Sequence, residues 1–88
     1  MAKIDTAPTL GGLAGRYYST RGLTPPQPDD ARLDVISAAN SLSRAHTTGD
    51  RQSVRHCIGL VMLHLTTYAA EIGADPVAAM LELMEENA

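Results

Sequence analysis

Two of the three histidines and the single cysteine, the residues best suited to metal or nucleophilic chemistry, share one stretch. It reads "RHCIGLVMLHLTTYAAEIGADP", Arg55 to Pro76. His56 and His64 are eight residues apart, which on a helix is roughly 12 Å along the axis. Two imidazoles sharing a zinc ion must each come within about 2 Å of it, so this pair cannot chelate. Cys57 and His64 are roughly 10 Å apart by the same measure. The adjacent His56 and Cys57 diverge by about 100° around the helix, which removes a Cys–His nucleophile. The zinc spacings CxxC and HExxH are absent. No metal site and no cofactor is expected. Cys57 reads as a small core residue, His64 as a hydrogen-bonded polar group at a helix interface, and His46 as a favourable group at a helix C-terminus.

The elements that would position these side chains are all helical. A first helix is expected from Pro8 to Arg21, with Leu10, Leu13 and Tyr17 on its core stripe and Gly22 ending it in the left-handed conformation. Tyr18 is expected to be the more exposed tyrosine, able to stack on a base or a partner. Gly11, Gly12 and Gly15 each cost this helix roughly 1 kcal/mol relative to Ala. "TPPQPDD", Thr24 to Asp30, is a stiff linker, and Asp29 or Asp30 caps a second helix from Ala31 to about Thr47. Its stripe is Val35, Ala38/Ala39, Leu42 and Ala45, flanked by Leu33 and Ile36. Gly49 stops it and Asp50 caps the next, a two-residue turn that implies an antiparallel hairpin.

A third helix, Arg51 to Ile72, carries Val54, Ile58, Val61, Leu65, Ala69 and Ile72 as a seam, with Cys57, Leu60, Met62 and Leu63 adding apolar surface around its middle. A helix apolar on nearly all sides must be buried on nearly all sides. One partner helix in an 88-residue chain cannot do that, so a homodimer or larger assembly is expected. Asp75 then caps a fourth helix with Pro76 at its first position. Val77, Met80, Leu81 and Met84 form its inner face, and Glu82, Glu85 and Glu86 point outward. Residues 1–9 are read as a tail open to disorder, and residues 10–88 as one domain.

Composition narrows the function classes. Residues 1–55 hold all seven Lys/Arg against five acids, whereas residues 56–88 hold five acids and no Lys or Arg. The basic residues are scattered, so the concentrated basic face that nucleic-acid binding needs is missing. The uneven charge is a solvated acidic C-terminal helix or, more sharply, a basis for head-to-tail pairing in an assembly. One cysteine allows no internal disulfide and fits a reducing cytoplasm. No apolar run approaches the roughly 20 residues that span a bilayer, and MAKIDTAPT lacks the apolar core of a signal peptide.

The order of these features resembles a known family. A helix ending in "RG" and a Pro-containing loop precede a helix ending in "GD". A long helix follows whose middle reads "CIGLVMLHL", closed by "AAEIGADPVAAMLELMEEN". Residues 13–87 resemble the MazG-like all-α nucleoside triphosphate pyrophosphohydrolases, whose core helices read EExxE…GD…EIGDVLxxL and then A…LGID…AL…K…N. The resemblance implies a four-helix bundle whose helix-hairpin core is completed by homodimerisation. In the family, acids in those motifs hold magnesium against a triphosphate, as a hard cation requires. Here the EExxE positions fall on Ser37, Ala38 and Ser41, and the ExxD positions on Cys57 and Leu60.

The expectation is therefore a catalytically inactive MazG-like homodimer or tetramer that acts by binding a protein partner or a nucleotide. A retained pocket would be lined by Tyr18, Ser37, Ser41, Cys57 and His64. Two alternatives stay open: a magnesium-dependent pyrophosphohydrolase with displaced acids such as Asp34 and Asp50, and an unrelated helical adaptor.

Overall fold

The structure is a computed structural model, and it describes residues 9–86. Four helices run in order along the chain, with no strand among the described residues. They are α1 (Leu10–Thr20), α2 (Pro28–Thr48), α3 (Arg51–Glu71) and α4 (Pro76–Glu86). The expected tail lies outside the described residues except for Thr9. That residue belongs to the fold, because its hydroxyl oxygen accepts the Gly12 N–H at 3.0 Å and caps α1.

Glycine and aspartate punctuate the helices as their chemistry requires. Gly22, Gly49 and Gly73 follow α1, α2 and α3 at φ of 66°, 76° and 75°, where a side chain would be strained. After α1, the Leu23 N–H donates to the Tyr18 carbonyl at 2.9 Å and the Gly22 N–H to Ser19 at 3.1 Å. After α3, Ala74 and Gly73 repeat this pattern on Ala69 and Ala70, which satisfies the last carbonyls of each helix. Asp50 accepts the Gln52 N–H at 3.1 Å and Asp75 the Val77 N–H at 3.0 Å, so both act as the expected caps. The start of α2 differs from expectation. Pro28 occupies its first position, where a missing N–H is harmless and φ is preset, and Gln27 precedes it with no side-chain cap. Asp29 and Asp30 lie inside the first turn, where the helix dipole favours them.

α2 and α3 form the antiparallel hairpin at the centre of the molecule. α2 buries Ala31, Ala38 and Ala45, spaced by seven residues, with Asp34, Val35, Ser41 and Leu42 half-buried between them. α3 answers with Val54, Cys57, Val61, His64 and Tyr68, of which Cys57 is buried. This corrects the expected seam of α3. Val54, Val61 and Ala69 are covered, but Ile58, Leu65 and Ile72 are 49%, 42% and 52% exposed. A two-helix seam repeats every 3.5 residues and is narrow, and alanines on α2 let the backbones approach closely enough for a cysteine to fill the gap.

α1 packs on the hairpin through Ala14 and Tyr18, one turn apart. The expected roles of the tyrosines are reversed: Tyr18 is 7% exposed, while Tyr17 is half-buried and Leu13 is 43% exposed. The small Ala14 lets α1 lie close on that face, which turns the Leu10/Leu13/Tyr17 stripe toward an open cleft.

α4 departs from α3 at 93° and buries no residue. Its expected inner face, Val77, Met80, Leu81 and Met84, is 49–67% exposed, because no other described helix closes over it. No single helix among the described residues is long and apolar enough to cross a membrane. The buried set is Ala14, Tyr18, Ala31, Ala38, Ala45, Cys57, Thr66, Thr67 and Ala69, without one Leu, Ile, Val or Met among the described residues.

Candidate functional site

The hairpin fixes which residues face each other. Asp34 and His64 meet across it, Oδ2 to Nδ1, at 3.9 Å. Stepping from that pair toward the turn brings Ala38 level with Leu60 and Val61, and Ser41 level with Cys57. The five positions that resemble the family's metal acids thus lie side by side at mid-hairpin. Their surroundings differ: Ala38 and Cys57 are buried, Ser41 and Leu60 half-buried, and Ser37 exposed. The Ser41 hydroxyl accepts a hydrogen bond from Arg44 Nη2 at 3.3 Å. A carboxylate at position 38 or 57 would be sealed in the seam without water, which is costly unless a cation pairs with it. Among the described residues, no three His, Cys, Asp or Glu side chains gather closely enough to hold one ion.

The polar groups nearest this region are already committed or stranded. His64 was expected to be hydrogen-bonded, yet its Nδ1 is buried with no hydrogen-bond partner, and 3.9 Å to Asp34 is an ion-pair distance only. The buried Thr67 hydroxyl has no hydrogen-bond partner either. Asp50, the other acid near the family's frame, accepts from the Ser53 hydroxyl at 2.8 Å and from the Gln52 N–H. Those bonds, the Ser53 hydroxyl first, hold its carboxyl below the usual 3.8 by favouring the charged form.

The five side chains expected to line a ligand pocket are spread over the hairpin and α1. Tyr18 is buried edge-on against Tyr17, at 5.2 Å between ring centres. Arg21 lies 3.9 Å over the other ring, that of Tyr17. Clefts open on the surface of the described residues, and of three of them none has Tyr18, Ser37, Ser41, Cys57 or His64 in its lining. The first, about 420 Å³, separates Leu10, Leu13 and Tyr17 of α1 from Gly59, Leu60 and Leu63 of α3, and Arg55 and His56 also line it. The second, about 360 Å³, surrounds the α3–α4 connection at Ala74 and Asp75. The third, about 330 Å³, fills the corner where Met62, Leu65 and Ile72 of α3 meet Val77 and Met80 of α4. The first and third share Leu10, Met62 and Thr66, so they form one continuous apolar groove along α3.

Sequence reasoning missed this groove, although Gly59 pointed to it. A glycine in mid-helix costs about 1 kcal/mol relative to Ala, and a Cβ built on Gly59 meets nothing within 4 Å. The described residues therefore give no packing reason for it. Compared with family models, curated proteins and solved structures, the chain matches none.

Proposed function

We propose that this protein is a catalytically inactive helical bundle of the MazG-like type, which works as a homodimer and acts by binding. One observation carries the reading. The positions that would hold magnesium in that family are Ser37, Ala38, Ser41, Cys57 and Leu60, gathered at mid-hairpin with Ala38 and Cys57 buried. A site rebuilt as seam has exchanged paired negative charge for packing. The displaced-acid alternative is weaker, because Asp50 is engaged in capping α3 and Asp34 stands alone beside His64.

The character of the exposed surface favours a protein over a nucleotide as the bound partner. Among the described residues thirteen large hydrophobics are exposed, including Ile58, Met62 and Leu65 on α3 and Leu33 and Ile36 on α2. Apolar surface on this scale marks protein contacts, whereas a triphosphate requires a cluster of donors. Part of this surface is assigned to the second copy, and Leu33 and Ile36, on the far side of α2 from its alanine seam, are left for another chain.

Thermal unfolding with a panel of nucleotides, each with magnesium and with EDTA, tests the reading. A nucleotide at a hundred times its dissociation constant would stabilise the fold by about 2.7 kcal/mol, a shift of many degrees at this size. No shift and no pyrophosphate release is the expected result. A shift that survives EDTA would instead mean nucleotide sequestration. Magnesium-dependent turnover abolished by Asp34→Asn would overturn the inactive reading.

A further inference from the structure

We infer that α4 is an exchange arm: in the dimer, the α4 of each copy lies in the α1/α3 groove of the other. This rests on the homodimeric reading above and names the segment that makes the dimer. The helix and the groove are each incomplete in one chain. α4 buries no residue, and Val77, Met80, Leu81 and Met84, spaced for one helical face, are 49–67% exposed. The groove is apolar, and Gly59 lies open on its α3 side, where a Cβ would meet nothing within 4 Å among the described residues beyond its own turn of helix.

Length and charge both match. The α3 residues that line the cleft run from Arg55 to Thr66, about 16 Å at 1.5 Å per residue, and the 11 residues of α4 span about the same. The cleft's α3 wall begins with Arg55 and His56, and no Lys or Arg follows Arg55 in the chain. α4 carries Glu82, Glu85 and Glu86 toward its C-terminus. Opposite charges meet when the arm runs antiparallel to the α3 it covers, which sets Glu85 near Arg55, Leu81 near Gly59 and Val77 near Leu63. Such pairs fix orientation more than affinity. The apolar area to be covered lies on both parts: Val77, Met80, Leu81 and Met84 of α4 are exposed, and Leu13 and Met62, which line the cleft, are each 43% exposed. The exchange is self-complementary, so two copies close the assembly.

A disulfide trap tests both the arm and its direction. In full chains carrying Cys57→Ala, one copy receives Gly59→Cys and a copy of distinguishable mass receives Leu81→Cys or Val77→Cys. The copies are mixed, allowed to exchange and oxidised, and sedimentation records the oligomeric state before oxidation. A disulfide forms only when the Cβ atoms come within about 4.5 Å. The expected result is a dimer in which Gly59→Cys links to Leu81→Cys at least tenfold more than to Val77→Cys. A dimer without either link would overturn the arm while leaving the homodimer standing. A preference for Val77→Cys would overturn the antiparallel placement. A monomer would overturn the arm and the homodimer together.

Discussion

Ser37 and Ala38 are neighbours on α2 with opposite surroundings, since Ser37 is exposed and Ala38 is 4% exposed in the seam with α3. Introducing an acid should therefore have opposite consequences at the two. Ser37→Glu should change stability by less than about 0.5 kcal/mol, as exposed substitutions do. Ala38→Glu should unfold the chain or cost several kcal/mol, because a bulky charge enters a closed seam without a cation. Thermal unfolding of the two variants checks this, and equal midpoints would mean that the seam is open. Asp50 offers a pH test. Its folded carboxyl titrates below 3.8 because of the Ser53 and Gln52 hydrogen bonds. The stability it contributes is therefore full well above 3.8 and is lost as pH falls through the lower folded value. Asn caps a helix without titrating there. The midpoint difference between the native chain and Asp50→Asn should accordingly be constant near neutrality and change only at acid pH, as unfolding at pH 7 and pH 3 would show.

Among the elements, α1 is the most improvable and the most informative. A Cβ at Gly15 meets nothing within 4 Å, whereas one at Gly12 would stand 2.9 Å from Thr9 Oγ1, the atom that caps the helix. Gly15→Ala should raise stability by up to about 1 kcal/mol, and Gly12→Ala should give less or reverse the sign. A Gly12→Ala midpoint above that of Gly15→Ala would contradict the cap geometry. Helix ends were legible in the sequence because Gly22, Gly49 and Gly73 need left-handed backbone and Asp50 and Asp75 follow as short acceptors or precede proline. The buried sides were less so. α3 is apolar around most of its girth, so a 3.6-residue stripe through Ile58 and Leu65 looked as good as the 3.5-residue seam through Cys57 and His64. What decided between them was the alanine spacing on α2, a property of the partner helix. The tyrosines failed for a related reason, since Leu13 and Tyr17 look more core-like than Ala14, yet the smaller residue permits the closer contact. The positions Ser37, Ala38 and Ser41 on α2 and Cys57 and Leu60 on α3 could be named from the sequence, but which of them are buried could not. The groove was not legible, because it lies between α1 and α3 and only Gly59 hinted at it. Hydrogen exchange should find α2 and α3 slowest at mid-hairpin, with α4 protected only at concentrations that support the dimer.

At the scale of the whole molecule, the described residues bury mainly small side chains, Tyr18 apart, and present the large aliphatic ones outward. The buried set of alanines, one cysteine, two threonines and one tyrosine is a thin core for a domain of 88 residues, a size at which stability is marginal without help. α4 is the clearest case, being well formed, capped by Asp75 and apolar, with no burial of its own. These features support the proposed account, in which the hairpin carries none of the acids of the resembled hydrolases and the exposed faces bind protein, beginning with a second copy. Sedimentation equilibrium of the full chain across a wide concentration range tests that account most directly. The account predicts a species of twice the 9.3 kDa chain mass that dissociates only on dilution and unfolds as it does so. A stable, fully helical monomer at every concentration would contradict it.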